Sequence, residues 1–141
     1  MYLIKKYWFL MVLGLSACAI GSPDADVAKQ RVEQYFQAQQ QQNLEAALEF
    51  YSSSEKRSMD NWRSHLQHMS KSLGKVERYE FKRMEVNTVL SGRFYIFEYQ
   101  VSYDSGKSAK ETLTMYDTIE SDDIPGIVAH VILAEGYKPL F

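Results

Sequence analysis

Few residues in this chain could move a proton, hold a metal or attack a carbon. There are three histidines, His65, His68 and His130, and one cysteine, Cys18. Glu111 draws attention because it falls in a strand-like stretch beside large apolar side chains. A desolvated carboxyl can exchange protons near neutral pH. Glu111 with the hydroxyl of Tyr99 or Tyr103 is therefore the candidate acid–base set. The competing reading places Glu111 at a sheet rim, paired with a Lys or Arg, and that is the position expected here. His65 and His68 are three apart and could share a helix face. Two such imidazoles could begin a metal site, but no third ligand follows at a recognisable spacing. Both are expected to be half-exposed beside an apolar stripe. His130 lies within an apolar run and is expected to be a satisfied core or edge histidine. Ser52-Ser53-Ser54 has no nucleophile-elbow context, and no glycine-rich phosphate loop occurs. No metal or cofactor is expected.

The chain that must position these groups has 141 residues, enough for one domain and one core. With 16 basic and 18 acidic residues its net charge is −2, which lacks the basic surplus that nucleic-acid binding needs. At 45% hydrophobic and 13% aromatic it is too apolar to remain disordered. A single Cys excludes an internal disulfide and a cysteine-based zinc site.

Helices come first, then strands. Ser22-Pro23 with Asp24 and Asp26 is a helix start, and Ala28, Val32, Tyr35 and Phe36 form its apolar stripe. The glutamine-rich run 37–42 continues the polar face. Asn43 caps a second helix carrying Leu44, Ala47, Leu48 and Tyr51. A third helix carries Met59, Trp62, Leu66, Met69 and Leu73, and ends at Gly74. From Val76 the period changes to two. Tyr79 and Phe81 alternate, then Met84 and Val86 in the opposite phase, which predicts a bulge near Lys82-Arg83. After a turn at Ser91-Gly92, Tyr95, Phe97, Tyr99, Val101 and Tyr103 share one face of a long strand. These aromatics could form a ligand-stacking wall, but filling a core is their commoner role.

Asp104-Ser105-Gly106 makes the next hairpin. A turn with Gly106 left-handed and a following bulge sets Tyr103 opposite Lys107. Val101 then faces Ala109, Tyr99 faces Glu111, Phe97 faces Leu113 and Tyr95 faces Met115. Slipping by one would split the apolar set between two faces. An acidic loop, Thr118 to Gly126, leads to a last apolar strand, Ile127 to Ala134. Three helices followed by about four antiparallel strands define an α+β domain with the helices packed on a bent sheet.

The N-terminus carries an address. Lys5 and Lys6 precede an apolar run, Tyr7 to Leu15, with no acidic residue before Asp24. That is the pattern of an export signal, and the run is shorter than the roughly 20 residues of a membrane-spanning helix. Leu15-Ser16-Ala17-Cys18 resembles the lipobox of bacterial lipoproteins. The resemblance implies cleavage between Ala17 and Cys18, a diacylglyceryl thioether on Cys18 and acylation of the new amino group. Two or three acyl chains anchor a protein stably where one does not. Residues 1–17 would be the signal peptide, 18–25 the lipidated Cys and tether, and 26–141 the domain. Ala19, standing where an Asp would signal inner-membrane retention, implies the outer membrane and a periplasm-facing domain.

The order of elements resembles the cystatin-like superfamily, which includes nuclear transport factor two and ketosteroid isomerase, and especially small exported bacterial domains with that fold. The matching residues are Trp62, Leu73-Gly74, Gly92, Tyr99-Gln100-Val101-Ser102-Tyr103 and Glu111-Thr112-Leu113-Thr114, spread over roughly Asp26 to Tyr137. Gly126 and Gly136-Tyr137 fit the way such domains close, although the Trp common there is missing. The resemblance implies a cone whose pocket would be lined by Trp62, Tyr95, Phe97, Tyr99, Leu113 and Met115. It supplies no catalytic motif that can be placed residue by residue, and such a fold hosts many unrelated jobs. The leading expectation is a lipid-anchored, non-catalytic envelope domain that binds a partner protein or a small apolar ligand. The alternatives are a small hydrolase or isomerase-like enzyme using Glu111 with Tyr99 or Tyr103, and a structural subunit of a secretion or envelope assembly. Family habit also admits a homodimer through the outer sheet face, where Phe94 and Ile96 sit among Glu98, Gln100 and Ser102.

Overall fold

The computed structural model describes residues 23–54, 56–120 and 124–141. The export signal, Ala17, Cys18 and the start of the tether lie outside the described residues, as do Asp122 and Asp123 of the acidic loop.

Helix α1 (Pro23–Gln40) opens with Asp24 and Asp26 in its first turn, where negative charge complements the helix dipole. Helix α2 (Leu44–Leu48) is capped by Asn43, whose side chain accepts from the Ala46 amide at 3.1 Å. Helix α3 (Met59–Leu73) starts in a capping box between Ser58 and Asn61 and stops at Gly74, whose φ of 94° suits glycine. Its apolar stripe buries Trp62, Leu66, Met69 and Leu73.

Four strands follow: β1 (Val76–Val89), β2 (Gly92–Tyr103), β3 (Ser108–Thr118) and β4 (Gly126–Leu133). They form one antiparallel sheet in sequential order. The fold is α+β, with three helices and an open four-stranded sheet. Tyr95, Phe97, Tyr99, Val101 and Tyr103 face a single core shared with Val32, Tyr35, Phe36 and Trp62. The β2–β3 register pairs Tyr99 with Glu111, Phe97 with Leu113 and Tyr95 with Met115, as the hairpin chemistry requires. The Gly106 amide bonds the Tyr103 carbonyl at 3.0 Å, and the Tyr103 amide bonds the Lys107 carbonyl at 2.9 Å. The expected bulge in β1 is present, with Lys82 skipped between Phe81 and Arg83.

Two further register shifts, unforeseen in the sequence, lie between Val76 and Arg78 in β1–β2 and in β3–β4. In β3–β4 the shift changes which residues are buried. Met115 pairs with Ile127 and Thr114 with Ala129, so Val128 is skipped. Strict alternation from buried Ile127 would turn His130 outward. The extra residue reverses the phase and buries His130 and Ile132 instead.

The free edge of β4 is partly covered. Tyr51 bridges Ile127 in parallel, the Ile127 amide bonds Phe50 O at 2.7 Å, and the Ser52 amide bonds Ile127 O at 2.9 Å. Gly126 makes this approach possible, because a Cβ there would collide with Ser52 Oγ. Gly126→Val should therefore separate the 50–52 segment from β4 and cost about 2 kcal/mol or more. Thermal unfolding checks this; an unchanged midpoint would show that the seam does not need glycine.

Candidate functional site

Glu111 is fully buried, and its rim placement is corrected by the structure. Position 111 pairs with Tyr99 on one side and Ile132 on the other, so two strands flank it and its side chain points into the core. Its acid is met from both sides. Tyr103 donates its hydroxyl to Oε1, and His130 Nε2 lies 2.8 Å from Oε2. The same imidazole's Nδ1 lies 2.8 Å from the Tyr51 hydroxyl and 3.1 Å from His65 Nε2. Tyr51 and Tyr35 hydroxyls are 3.2 Å apart, and Gln39 Nε2 donates to Tyr35 at 2.9 Å. These residues come from α1, α3, β2, β3, β4 and the turn after α2. They form one polar chain that runs through the aromatic core.

His65 is also corrected. It is 3% exposed, not half-exposed, because it follows Trp62 by three residues and precedes Met69 by four, and so lies in the stripe itself. His68 is half-buried as expected, and its Nε2 is 2.8 Å from Lys138 O. The two histidines therefore diverge and do not form a pair. Burial, then the neighbouring His130, Arg57 and His68, push the His65 pKa down from 6.5 to about 3. Burial also holds the Tyr103 hydroxyl well above the ordinary phenol value, with Glu111 adding to the effect. Tyr99 faces Glu111 across the ladder, yet its buried hydroxyl has no hydrogen-bond partner among the described residues. The structure thus joins Glu111 to Tyr103 and leaves Tyr99 apart. The sequence reading missed Tyr51 and Tyr35 as site residues, since their helical spacing marked them only as core.

Trp62, Tyr95, Phe97, Tyr99, Leu113 and Met115, the set expected to line a pocket, are all packed in the core with essentially no exposure. Trp62 spends its one donor on Ser52 O at 3.0 Å. A cleft of about 650 Å³ lies elsewhere, along the end of β4 and the chain that follows it. Its lining includes Arg57, His65, Leu133, Tyr137 and Phe141. The Arg57 guanidinium stacks 4.6 Å from the Phe141 ring and 5.0 Å from the Trp62 ring. Among the described residues no cluster of three or more His, Cys, Asp or Glu could hold a metal. No helix among them is long and apolar enough to cross a membrane.

The class that fold and site define is an α+β domain with a filled core, a sealed polar chain and an open lateral cleft. No family model and no curated protein matches this chain. Among solved structures it is similar to Bd1075 of Bdellovibrio bacteriovorus, with 14% identity and a TM-score of 0.51. The match covers 78% of this chain and 40% of that one, so this chain spans less than half of Bd1075's length. At that identity the likeness concerns the fold.

Two outcomes follow from the polar chain. Glu111→Gln replaces an acceptor with an amide donor facing Tyr103 or His130, and should lower unfolding free energy by about 2–4 kcal/mol. An unchanged urea midpoint would contradict the role given to Glu111. Between pH 6.5 and about 3 the unfolded chain protonates His65 and the native chain does not. Stability from this group is therefore lost as pH falls through that window, by up to about 1.4 kcal/mol per pH unit. Urea unfolding across that range should show the slope in the native sequence and a shallower one in His65→Gln.

Proposed function

We propose that this chain is a lipid-tethered envelope domain that binds rather than catalyses, with a small apolar ligand or a partner segment seated in the cleft beside β4. The single observation that carries the reading is the contrast between a sealed acid and an open apolar groove. Glu111 and His130 side chains have no exposure, and each of their polar atoms already has an intramolecular partner. A substrate would have to break that chain to reach the carboxyl, whereas a general acid or base must lie within hydrogen-bond reach of its target. The cleft, by contrast, offers exposed Val131 and Leu133 beside aromatic Tyr137 and Phe141, an apolar lining of the kind ligand sites use. The filled interior, packed with Trp62, Tyr95, Phe97 and Tyr99, supports recognition at the side of the domain over recognition inside a cystatin-like cone.

The tether rests on the Leu15-Ser16-Ala17-Cys18 motif. Acyl chains on Cys18 would hold the domain at a membrane, the outer one favoured by Ala19, with the cleft facing the periplasm. An assembly subunit is the same reading with a permanent occupant in the cleft.

In the native host, Cys18→Ser should move nearly all of the protein from the membrane pellet to the soluble fraction. Persistent sedimentation would remove the tether from the proposal. A photo-reactive side chain at Leu133 should yield a discrete adduct in intact cells, lost when Ala129→Glu charges the groove. The enzyme reading, with Glu111 and Tyr99 or Tyr103, replaces this one if Leu133 gives no adduct while Glu111→Gln abolishes the host phenotype in a protein of undiminished stability.

A further inference from the structure

The two edges of the sheet are treated differently. β4 is covered at its start by the 50–52 segment, as described above. β1 is not covered. Gln40 Nε2 reaches the Glu77 carbonyl at 3.0 Å, but among the described residues no hydrogen bond reaches the outer edge of residues 81–89. An open strand edge is a template for another strand. This edge also carries apolar side chains on the core-facing side of the sheet. Phe81, Met84 and Val86 are 40%, 36% and 42% exposed, although their ladder partners Tyr99, Phe97 and Tyr95 are fully buried. The core therefore continues to the edge of the sheet, where Lys29 Nζ lies 4.8 Å over the Phe81 ring and Met84 and Val86 remain partly exposed.

We infer that the occupant of this edge is a second copy of the same chain, paired antiparallel with β1 about a two-fold axis through Met84. The argument is complementarity. Lys82 is the bulged residue, skipped in the pairing with β2. Skipped again at the free edge, it leaves a register in which Met84 faces Met84 of the second copy. Phe81 then faces Val86, twice by symmetry, and the three exposed apolar residues of each copy form one continuous row. On the opposite face Arg83 stands across from Glu85, also twice. Opposite charges directly across an antiparallel ladder are favourable, and like charges are not. A two-fold through Glu85 would set acid against acid, and one through Arg83 base against base. Glu85 has no ion pair among the described residues, whereas Arg83 reaches Glu98 at 3.2 Å with most of its side chain still exposed. The interface is small, so the pairing is weak in dilute solution, and any concentration of copies at a membrane would favour it. This inference does not depend on the cleft. It also differs from packing through the outer sheet face.

The test uses the full chain in detergent with Cys18→Ser, so that no native thiol interferes. Met84→Cys should form an intermolecular disulfide readily, because the two side chains meet on the axis. Asn87→Cys should not, because its own copy lies about 20 Å away along the strand at ~3.4 Å per residue. By sedimentation, Glu85→Arg should weaken self-association on the order of tenfold, and Arg83→Glu combined with Glu85→Arg should restore it. Circular dichroism confirms that each variant is folded. A chain that stays monomeric at its solubility limit overturns the inference and leaves the edge to a foreign strand. Equal coupling through Met84→Cys and Asn87→Cys, or failure of the double reversal to restore association, overturns it as well.

Discussion

The structure depends on the burial of one carboxyl. Glu111 sits at the centre of the sheet, on the face that packs against the helices, with no exposure to water. A buried acid without partners is costly enough to unfold a domain of this size. Here it is satisfied by Tyr103 from the adjacent strand and His130 from the other neighbouring strand. His130 then needs partners for its second nitrogen, and Tyr51 and His65 supply them. Each satisfied atom in turn fixes the next, as far as Tyr35 and Gln39 on α1. The hydrophobic core could tolerate many arrangements of similar volume, whereas this chain of hydrogen bonds permits few.

That requirement explains two irregularities. The β3–β4 register shift turns His130 inward, and the parallel contact of 50–52 with β4 delivers the Tyr51 hydroxyl to it. Neither feature improves apolar burial alone: alternation from Ile127 without the shift would turn Ala129 and Val131 inward in place of His130. Both bring a donor or acceptor to a site where water cannot enter. The closeness of Ser52 to Gly126 is the geometric cost of that approach, and a residue without a side chain meets it.

Two regions of exposed apolar surface differ in physical character. Along β4 it forms a concave groove whose lining includes Leu133, Tyr137 and the stacked Arg57 and Phe141, a shape suited to enclosing something small or narrow. Along β1 it forms a strand edge with unmet backbone groups, a shape suited to another strand. A filled interior leaves both proposed roles to the outside of the domain.

How much of this was legible in the sequence follows from the range of the interactions involved. Helical spacing marked Trp62, Leu66, Met69 and Leu73, period-two spacing marked the face from Tyr95 to Tyr103, and turn chemistry at Asp104-Ser105-Gly106 set the register that puts Glu111 opposite Tyr99. The phase change after Phe81 announced its bulge, because both halves of the pattern lie on one strand. These are local signals, and local steric and periodic rules decide them. The positions of His65, His130 and Tyr51 relative to Glu111 were not legible. They lie on elements far apart in the chain, and their meeting depends on a skipped residue at Val128 and on how α3 and the 50–52 turn pack against β4. A carboxyl at a ladder position reads as a rim residue until the strand beyond it is known to carry an imidazole. The sequence alone therefore determined the elements, their faces and one hairpin. Only the tertiary structure decided that the acid is sealed, because satisfying a buried carboxyl requires partners that no spacing along the chain reveals.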